Sequence, residues 1–544
     1  MKRFTICCLA ILTSVSLFAQ QAKRKRMNII FYLVDDLGWT DLGYEGSSFY
    51  ETPNIDSFSK VGVRFSQAYA ACHVCSPSRA SILSGEYPAR LHLTDWLPGR
   101  KNFPFQKFEN VRSVQHLPYN QQPLPVVLKE NGYHTAIFGK WHLGEDSNST
   151  GRQGFDIHVP DYNKGWPNGT YFNPFGMKGL EGGVPGEYLT DRLTAEALKW
   201  VEKNKDQPFF LYLAQYAVHD PIQGRGDLVV KYEKKLAKMP KSALPPFVLE
   251  GNPDDGGGES AVDDAHKGFR VFPDRTVKIK QRQDNVQFAA MVDCMDENFG
   301  KVMAKLKELG LEDNTIVIFF SDNGGMSAAN FGNPSRNIQP VALDKAYSTS
   351  NLPLRGGKGW LYEGGIREPM LVYWPHHGEH GVTSDVPVTS TDFYSTILDM
   401  VGIDPKPRGA NGIDGSSLVP ILDGDKAGIE QLREKPLFWH FPQYSNHGAQ
   451  SPGGAVRYGD YKLIEYYENN TVQLFNLKND PGEQHDLAKT EPEKAKELTE
   501  MLHKWRKEVN AVMPSPNPNY QQGNLWPGKG IKGEANSPYD HPNR

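Results

Sequence analysis

Cysteine is scarce in this chain: five in 544 residues, two of them at positions 7 and 8. That excludes a disulfide-dense secreted scaffold. A ribbon-type zinc site is excluded too, because Cys72 and Cys75 form a C-x-x-C with no second Cys or Cys/His pair at similar spacing. Basic charge is not in excess. The 60 Lys and Arg stand against 64 Asp and Glu, a net charge of −4, so no nucleic-acid surface is expected and positive potential for an anionic ligand must be local. Beyond the N-terminus no apolar run reaches the length of about eighteen residues that marks a membrane-spanning helix, and no internal repeat is present.

What is present begins with a leader. Met1-Lys2-Arg3, the apolar run Phe4 to Phe18 and the small Ala19 read as a signal peptide over residues 1–19. This predicts export to a bacterial periplasm or beyond. Its removal leaves Cys72, Cys75 and Cys294. If Cys75 is modified, Cys72 and Cys294 form either a disulfide or two buried thiols.

Apolar runs alternate with amphipathic stretches over residues 27–430. The pattern predicts an α/β unit on a large, mostly parallel or mixed sheet sandwiched by helices. Buried strands are expected at Asn28 to Val34, His134 to Phe138, Pro208 to Tyr216 and Thr315 to Phe320, with helices at Thr190 to Lys203 and Gln281 to Leu309. The Pro/Gly-rich stretches at 164–187 and 240–268 read as surface loops, and Gly424 to Glu434 as a linker. A smaller C-terminal unit over 435–515 follows, with antiparallel strands at Pro436 to Phe441, Ala455 to Tyr467 and Thr471 to Asn476, and a helix at Glu491 to Val512. Residues 516–544 read as a tail, wrapped or mobile.

Three of the apolar runs end in polar clusters: Asp35-Asp36, Lys140-Trp141-His142 and Ser321-Asp322-Asn323. Ligands bind at the carboxyl ends of strands in open α/β sheets, so the clusters should converge. An Asp-Asp pair alone is more often a solvated turn. Two such clusters at the ends of buried strands supply the hard oxygen ligands that suit Ca²⁺ or Mg²⁺ rather than zinc. Cys75-Ser-Pro-Ser-Arg79, with Gly85 six residues beyond, reads as a turn into a helix that starts near Pro77-Ser78. A helix start also favours an anion.

The segment Cys75 to Gly85 resembles the signature of the type I sulfatases, within the alkaline phosphatase superfamily. Val34-Asp35-Asp36-Leu37-Gly38, Gly139 to Gly144, His219-Asp220-Pro221, Ser321 to Gly324, Leu354 to Gly359 with Tyr362 to Arg367, Gly459 to Leu463 and Asp480 to Glu483 resemble further features of that family, in order, over about residues 28–490. One departure is Glu86, where many members carry Arg or Lys.

The resemblance implies hydrolysis of sulfate esters through a covalent sulfo-enzyme intermediate. A maturating enzyme would oxidise Cys75 to formylglycine (3-oxoalanine), whose hydrate is the nucleophile. Asp35, Asp36, Asp322 and Asn323 would hold one calcium ion that also touches residue 75. Arg79 would steady the hydrate, Lys140 and Lys358 would contact sulfate oxygens, His219 would be the general acid, Asp322 the base for attack, and His142 the base that collapses the sulfated hydrate.

Arg90 to Trp96 resembles bacterial enzymes acting on sulfated galactose or N-acetylgalactosamine, so a sulfated carbohydrate of that type is the expected substrate. Trp96, Arg100, His440 and His447 are weaker candidates for a sugar subsite, each as readily a loop or core residue. Asn148 and Asn168 lie in glycosylation-like sequons that occur by chance. Two other readings are a phosphodiesterase or phosphonate monoester hydrolase of the same superfamily, and a non-catalytic binder of sulfated glycans.

Overall fold

The computed structural model describes residues 26–119, 122–144, 149–255, 259–261, 277–331, 343–404, 412–448 and 450–521. The segment read as a signal peptide, Asn148 and the residues beyond 521 lie outside them. The first five strands are β1 (Asn28–Val34), β2 (Val63–Tyr69), β3 (His134–Gly139), β4 (Ile157–Val159) and β5 (Phe209–Ala214). Next come β6 (Phe247–Glu250), β7 (Glu259–Ala261) and β8 (Val277–Lys280), then β9 (Thr315–Ser321), β10 (Arg367–Tyr373), β11 (Thr383–Ser384) and β12 (Val388–Thr389). The last four are β13 (Leu437–Phe441), β14 (Gly453–Tyr458), β15 (Tyr461–Tyr466) and β16 (Thr471–Asn476).

Nine strands form the main sheet in the order β11-β2-β10-β9-β1-β5-β3-β4, with β12 also on β2. β1 lies between β5 and β9, parallel to both, while β10 runs antiparallel to β9 and β2. The sheet is therefore mixed, as one of the two expected forms.

β1 is apolar at nearly every position because both its faces are covered. Ile30, Tyr32 and Val34 pack on one face with the helices Leu189–Asn204 and Val286–Glu308. Ile29, Phe31 and Leu33 pack on the other with Ala80, Ile82 and Leu83 of the helix Cys75–Ser84 and with Phe393 of the helix Asp392–Met400. Cys294 belongs to the first of these layers, whereas Cys72 packs beside Val74 and Phe441. Cys72, Cys75 and Cys294 are all free and buried, so the two-thiol alternative holds.

Several boundaries differ from expectation for local reasons. The Cys75–Ser84 helix begins two residues early, making Cys75 its first residue. The stretch read as a linker carries a helix, Lys426–Arg433, because Asp425 caps it by accepting from the N–H groups of Ala427 and Gly428. The strand expected over 455–467 is a hairpin, β14 and β15, turned at Gly459-Asp460 with Gly459 at φ 57°. The loop expected at 240–268 contains β6 and β7, since Phe247 finds a ring partner in Tyr347 at 5.0 Å.

The C-terminal sheet, in the order β13-β14-β15-β16, carries the helix Pro492–Glu508 through Val456, Leu463, Leu474, Leu498, Leu502 and Trp505. A fully buried ion cluster joins it to the rest. Lys462 Nζ on β15 lies 3.0 Å from Glu363 and 2.8 Å from Glu483, and Glu483 accepts the Glu363 N–H at 2.6 Å. Glu363 also accepts from the Tyr69 hydroxyl at 2.7 Å. The C-terminal motifs around Lys462 and Glu483 are thus halves of one clamp on Glu363. Lys462→Met would leave two buried carboxylates facing each other. It should cost about 3–5 kcal/mol, read as a lowered midpoint of urea unfolding; an unchanged midpoint would refute the clamp.

Candidate functional site

The site is set by strand register. Val34 pairs with Ser321, Leu33 with Ala214, and Gly139 with Ala214. The residues that follow, Asp35, Asp322, Gln215 and Lys140, therefore leave the sheet at one level. Gly139 is required there: at φ 110°, a Cβ would stand 1.8 Å from the Ala214 carbonyl oxygen. Asp36 and His142 turn out of their strands in the left-handed region, at φ 61° and 56°, a conformation uncommon for residues with a Cβ.

Three cations meet three carboxylates in this buried cluster. Lys140 Nζ lies 2.7 Å from Asp35 Oδ2, and Lys358 Nζ 2.7 and 2.8 Å from the two oxygens of Asp36. Arg79 donates through Nε to Asp322 at 2.7 Å and through Nη1 to the Lys140 carbonyl at 3.0 Å. Arg79 is four residues after Cys75, so both project from one face of their helix. Asp322 Oδ1 accepts the Asp36 N–H at 3.2 Å, and Asn323 Nδ2 donates to Asp36 at 2.8 Å. Cys75 Sγ is 3.2 Å from His142 Nδ1.

The electrostatics follow from burial and crowding. Burial, then the Asp322 charge, raises the Asp35 carboxyl to about 8. Burial would raise Asp36 as well, but Lys358 and His219 outweigh it and hold that carboxyl well below the usual range. His219 is pushed down by burial and Lys358, yet Asp36, Asp35 and Asp220 together lift it to about 9. Its Nδ1 donates to Asp220, 2.7 Å from the carboxylate, and its Nε2 lies 3.7 Å from Asp36. Burial and Lys140 hold His142 well below its ordinary value, so it is neutral. The Leu97 carbonyl lies 2.7 Å from His142 Nε2 and can only accept. The proton therefore sits on Nε2, and Nδ1 turns a lone pair toward Cys75.

All ten residues singled out from the sequence thus converge. Asp220, inside a quoted motif but given no role, proves to orient His219; its adjacency was the available signal. The Leu97 carbonyl was not foreseeable, since any residue supplies one. Glu86 is fully buried, its N–H on Ser84 Oγ at 3.2 Å.

Among the weaker candidates, His440 bonds to the Tyr467 hydroxyl and the Val512 carbonyl and is structural. Trp96 packs near Cys72 and Val74, and Arg100 donates to the Ser445 carbonyl. His447 is buried against Gly359 and feels the charges of Lys358 and Asp36, so it belongs to the wall of the site. Asn168 uses its own amide on the Gly176 carbonyl.

Comparison with known proteins agrees with this geometry. The family described as Sulfatase matches residues 27–403, and the family described as N-sulphoglucosamine sulphohydrolase, C-terminal, matches 357–511. A sulfatase of Formosa agariphila is 28% identical, covering 94% of this chain and 95% of its own. The N-acetylgalactosamine-6-sulfatase of Homo sapiens is 29% identical, covering 90% and 86%. The crystal structure of Ps i-CgsB in complex with k-i-k-neocarrahexaose superposes with a TM-score of 0.65 at 26% identity, covering 89% of this chain and 94% of that one. With a family match over more than half its length and an ordered site at the strand ends, this chain belongs to the sulfatase family and is a sulfuric ester hydrolase.

Proposed function

We propose that this protein is an exported, calcium-dependent sulfatase of the formylglycine type that removes sulfate from a carbohydrate. The observation that carries the reading is the neutral His142 aimed at Cys75 beside three carboxylates and three cations. The sugar substrate is supported by the names of the human relative and of the Ps i-CgsB complex. The galactose-type preference rests on the resemblance of Arg90 to Trp96. Much of that segment holds the loop in place: Arg90 grips Asp414 at 2.6 and 2.9 Å, and Asp95 accepts from the N–H groups of Trp96 and Arg100.

The donor set fits a hard divalent cation. Asp35 Oδ1 and Asn323 Oδ1 are buried acceptors with no hydrogen-bond partner, which is costly unless a cation uses them. Asp35, Asp36, Asp322 and Asn323 would hold calcium; the ion would supply charge neutralisation at the sulfate and release Lys140 and Lys358 to bind the anion. His219 lies close to Asp35 and Asp36, but as a protonated ring bonded to Asp220 it suits an acid better than a ligand. A formylglycine at position 75, marked here by its precursor thiol, would supply the nucleophilic hydroxyl.

The chain's own groups do the rest. His142 Nδ1 is placed to take a proton from an oxygen at position 75. Lys140 and Lys358 present charge to sulfate oxygens. His219, protonated and fixed by Asp220, is placed to give a proton to the leaving sugar oxygen. Asp322, with one oxygen on Arg79 and the other on the Asp36 N–H, orders the cluster as well as serving as the proposed base.

The direct test is mass spectrometry of the Cys75 peptide from protein made with a maturating enzyme, together with turnover by Cys75→Ala. A peptide lighter than cysteine and nearly complete loss of turnover are expected; full activity in the variant sinks the nucleophile. Faster cleavage of an aryl phosphodiester than of an aryl sulfate would favour the phosphodiesterase reading. Finding only cysteine in active native protein would contradict the maturation step.

His219→Ala should slow release of a sugar by about 10²–10⁴-fold and an activated aryl sulfate much less, because a good leaving group needs no proton. Equal losses would remove the acid role.

Chelation gives a third prediction. Without a cation the folded Asp35 carboxyl titrates near 8, against about 3.9 unfolded. The native state then binds more protons between these values, so stability falls as pH rises from about 4 to 8. His219, raised to about 9, contributes stability that is present below its unfolded value and lost as pH rises through 9, the same direction. Calcium should therefore raise the melting temperature of chelated protein more at pH 8 than at pH 5. An equal rise at both values would contradict the assignment.

A further inference from the structure

Beside His142 opens a cavity of about 220 Å³, lined by Leu97, Pro98, His142, Gly144, Asn163, Lys164 and Trp166. Two loops make it, and both are tied to the catalytic ring. Leu97 accepts from His142 Nε2, and Gly165 lies flat on the imidazole. A Cβ at Gly165 would stand 2.2–2.7 Å from three ring atoms, so only glycine allows the approach. This close seat fixes the residues on either side of it. Trp166 meets His142 edge-on, with centroids 6.4 Å apart at 81°. Lys164 is exposed at the cavity, and among the described residues it has neither a hydrogen-bond nor an ion-pair partner.

An aromatic ring, an aliphatic wall at Leu97-Pro98 and one uncommitted ammonium suit a sugar ring that carries a negative substituent. Nucleophile and cavity lie on opposite edges of one imidazole, since Cys75 takes Nδ1 and Leu97 takes Nε2. The cavity and Cys75 therefore share the His142 ring.

Resting on the carbohydrate-sulfatase reading above, we propose that Lys164 and Trp166 form a specificity subsite for a second anionic group of the substrate, a carboxylate or a further sulfate. Trp166 packs on the sugar face, and Lys164 pairs with the charge. The enzyme then prefers glycans with two negative groups close together over singly sulfated ones.

The test compares matured full-length enzyme on three disaccharides that share the scissile sulfate: one with no other charge, one with a uronate carboxylate, one with a second sulfate. The ratio of kcat/KM for each doubly charged substrate to that of the singly charged one is the readout. Wild type should favour one or both by about fivefold, the scale of a partly exposed ion pair. Lys164→Met should bring that ratio near one, Lys164→Arg should restore it, and Trp166→Ala should raise KM for all three sugars. The two charged arms distinguish carboxylate from sulfate.

Equal rates for all three substrates in wild type, or a ratio unchanged in Lys164→Met, overturn the subsite and leave the sulfatase reading intact. Desulfation of none of the three, with an aryl sulfate still cleaved, overturns the carbohydrate reading and the subsite with it.

Discussion

The structure depends on the compensation of buried charge at the strand ends. Asp35, Asp36 and Asp322 are buried with Lys140, Lys358 and Arg79. Each of these charges alone would cost several kcal/mol in such a place. The matching is not local in sequence: the partners are 105, 322 and 243 residues apart. The register of β1, β3, β5 and β9 brings Asp35, Asp36, Lys140 and Asp322 to one level, while Arg79 comes in from the helix Cys75–Ser84 and Lys358 from the Gly-rich stretch before β10. The balance is also provisional. Two acceptor oxygens of the cluster have no partner; a divalent ion would compete with both lysines for their carboxylates, and an anion would compete with the carboxylates for the lysines.

The same logic reaches the C-terminal unit. Lys358 and Glu363 belong to one Gly-rich stretch, in which Gly364 and Gly365 approach the backbone at Arg355 to Gly357 and at Trp360. Lys462 and Glu483 clamp that stretch from the far side through Glu363. Trp439 Nε1 adds a bond to the Ala70 carbonyl, close before Cys75. Trp439, Lys462 and Glu483 therefore support Lys358 and the Cys75–Ser84 helix from behind. That gives the motifs around Lys462 and Glu483 a physical meaning far from any substrate.

What could be read from the sequence was the part fixed by chemistry at short range. Asp35-Asp36 and Asp322-Asn323 announce themselves because two oxygen-bearing pairs, each at the end of a buried apolar run, are costly unless they share a ligand. The strands at 28–34 and 315–321 were legible because both of their faces are buried. The Gly459-Asp460 turn was missed although Arg457, Gly459, Asp460 and Lys462 interrupt the apolar pattern there. The Lys426–Arg433 helix was missed because its apolar face is little more than Leu432, and the Asp425 cap was not weighed. The pairing of Lys140 with Asp35 and of Lys358 with Asp36 could not be read at all, since strand order decides the first and the path of the Gly-rich loop decides the second.

The least legible features are those made by backbone. Burial and Lys140 keep His142 neutral, but the Leu97 carbonyl decides that Nδ1 turns its lone pair to Cys75, and carbonyls have no letter in the sequence. Gly165 was hidden in a Pro/Gly-rich loop where glycine looks like ordinary punctuation. In the fold it is the one residue type that lets the 163–166 loop touch the imidazole. The close seat of Gly165 on the ring gives that loop a defined position relative to His142. Side chains on such a loop can change while the seat stays. Selectivity for different sugars can therefore vary at Lys164 and Trp166 with the catalytic cluster untouched, which is how one charge-balanced site can serve many sulfated substrates.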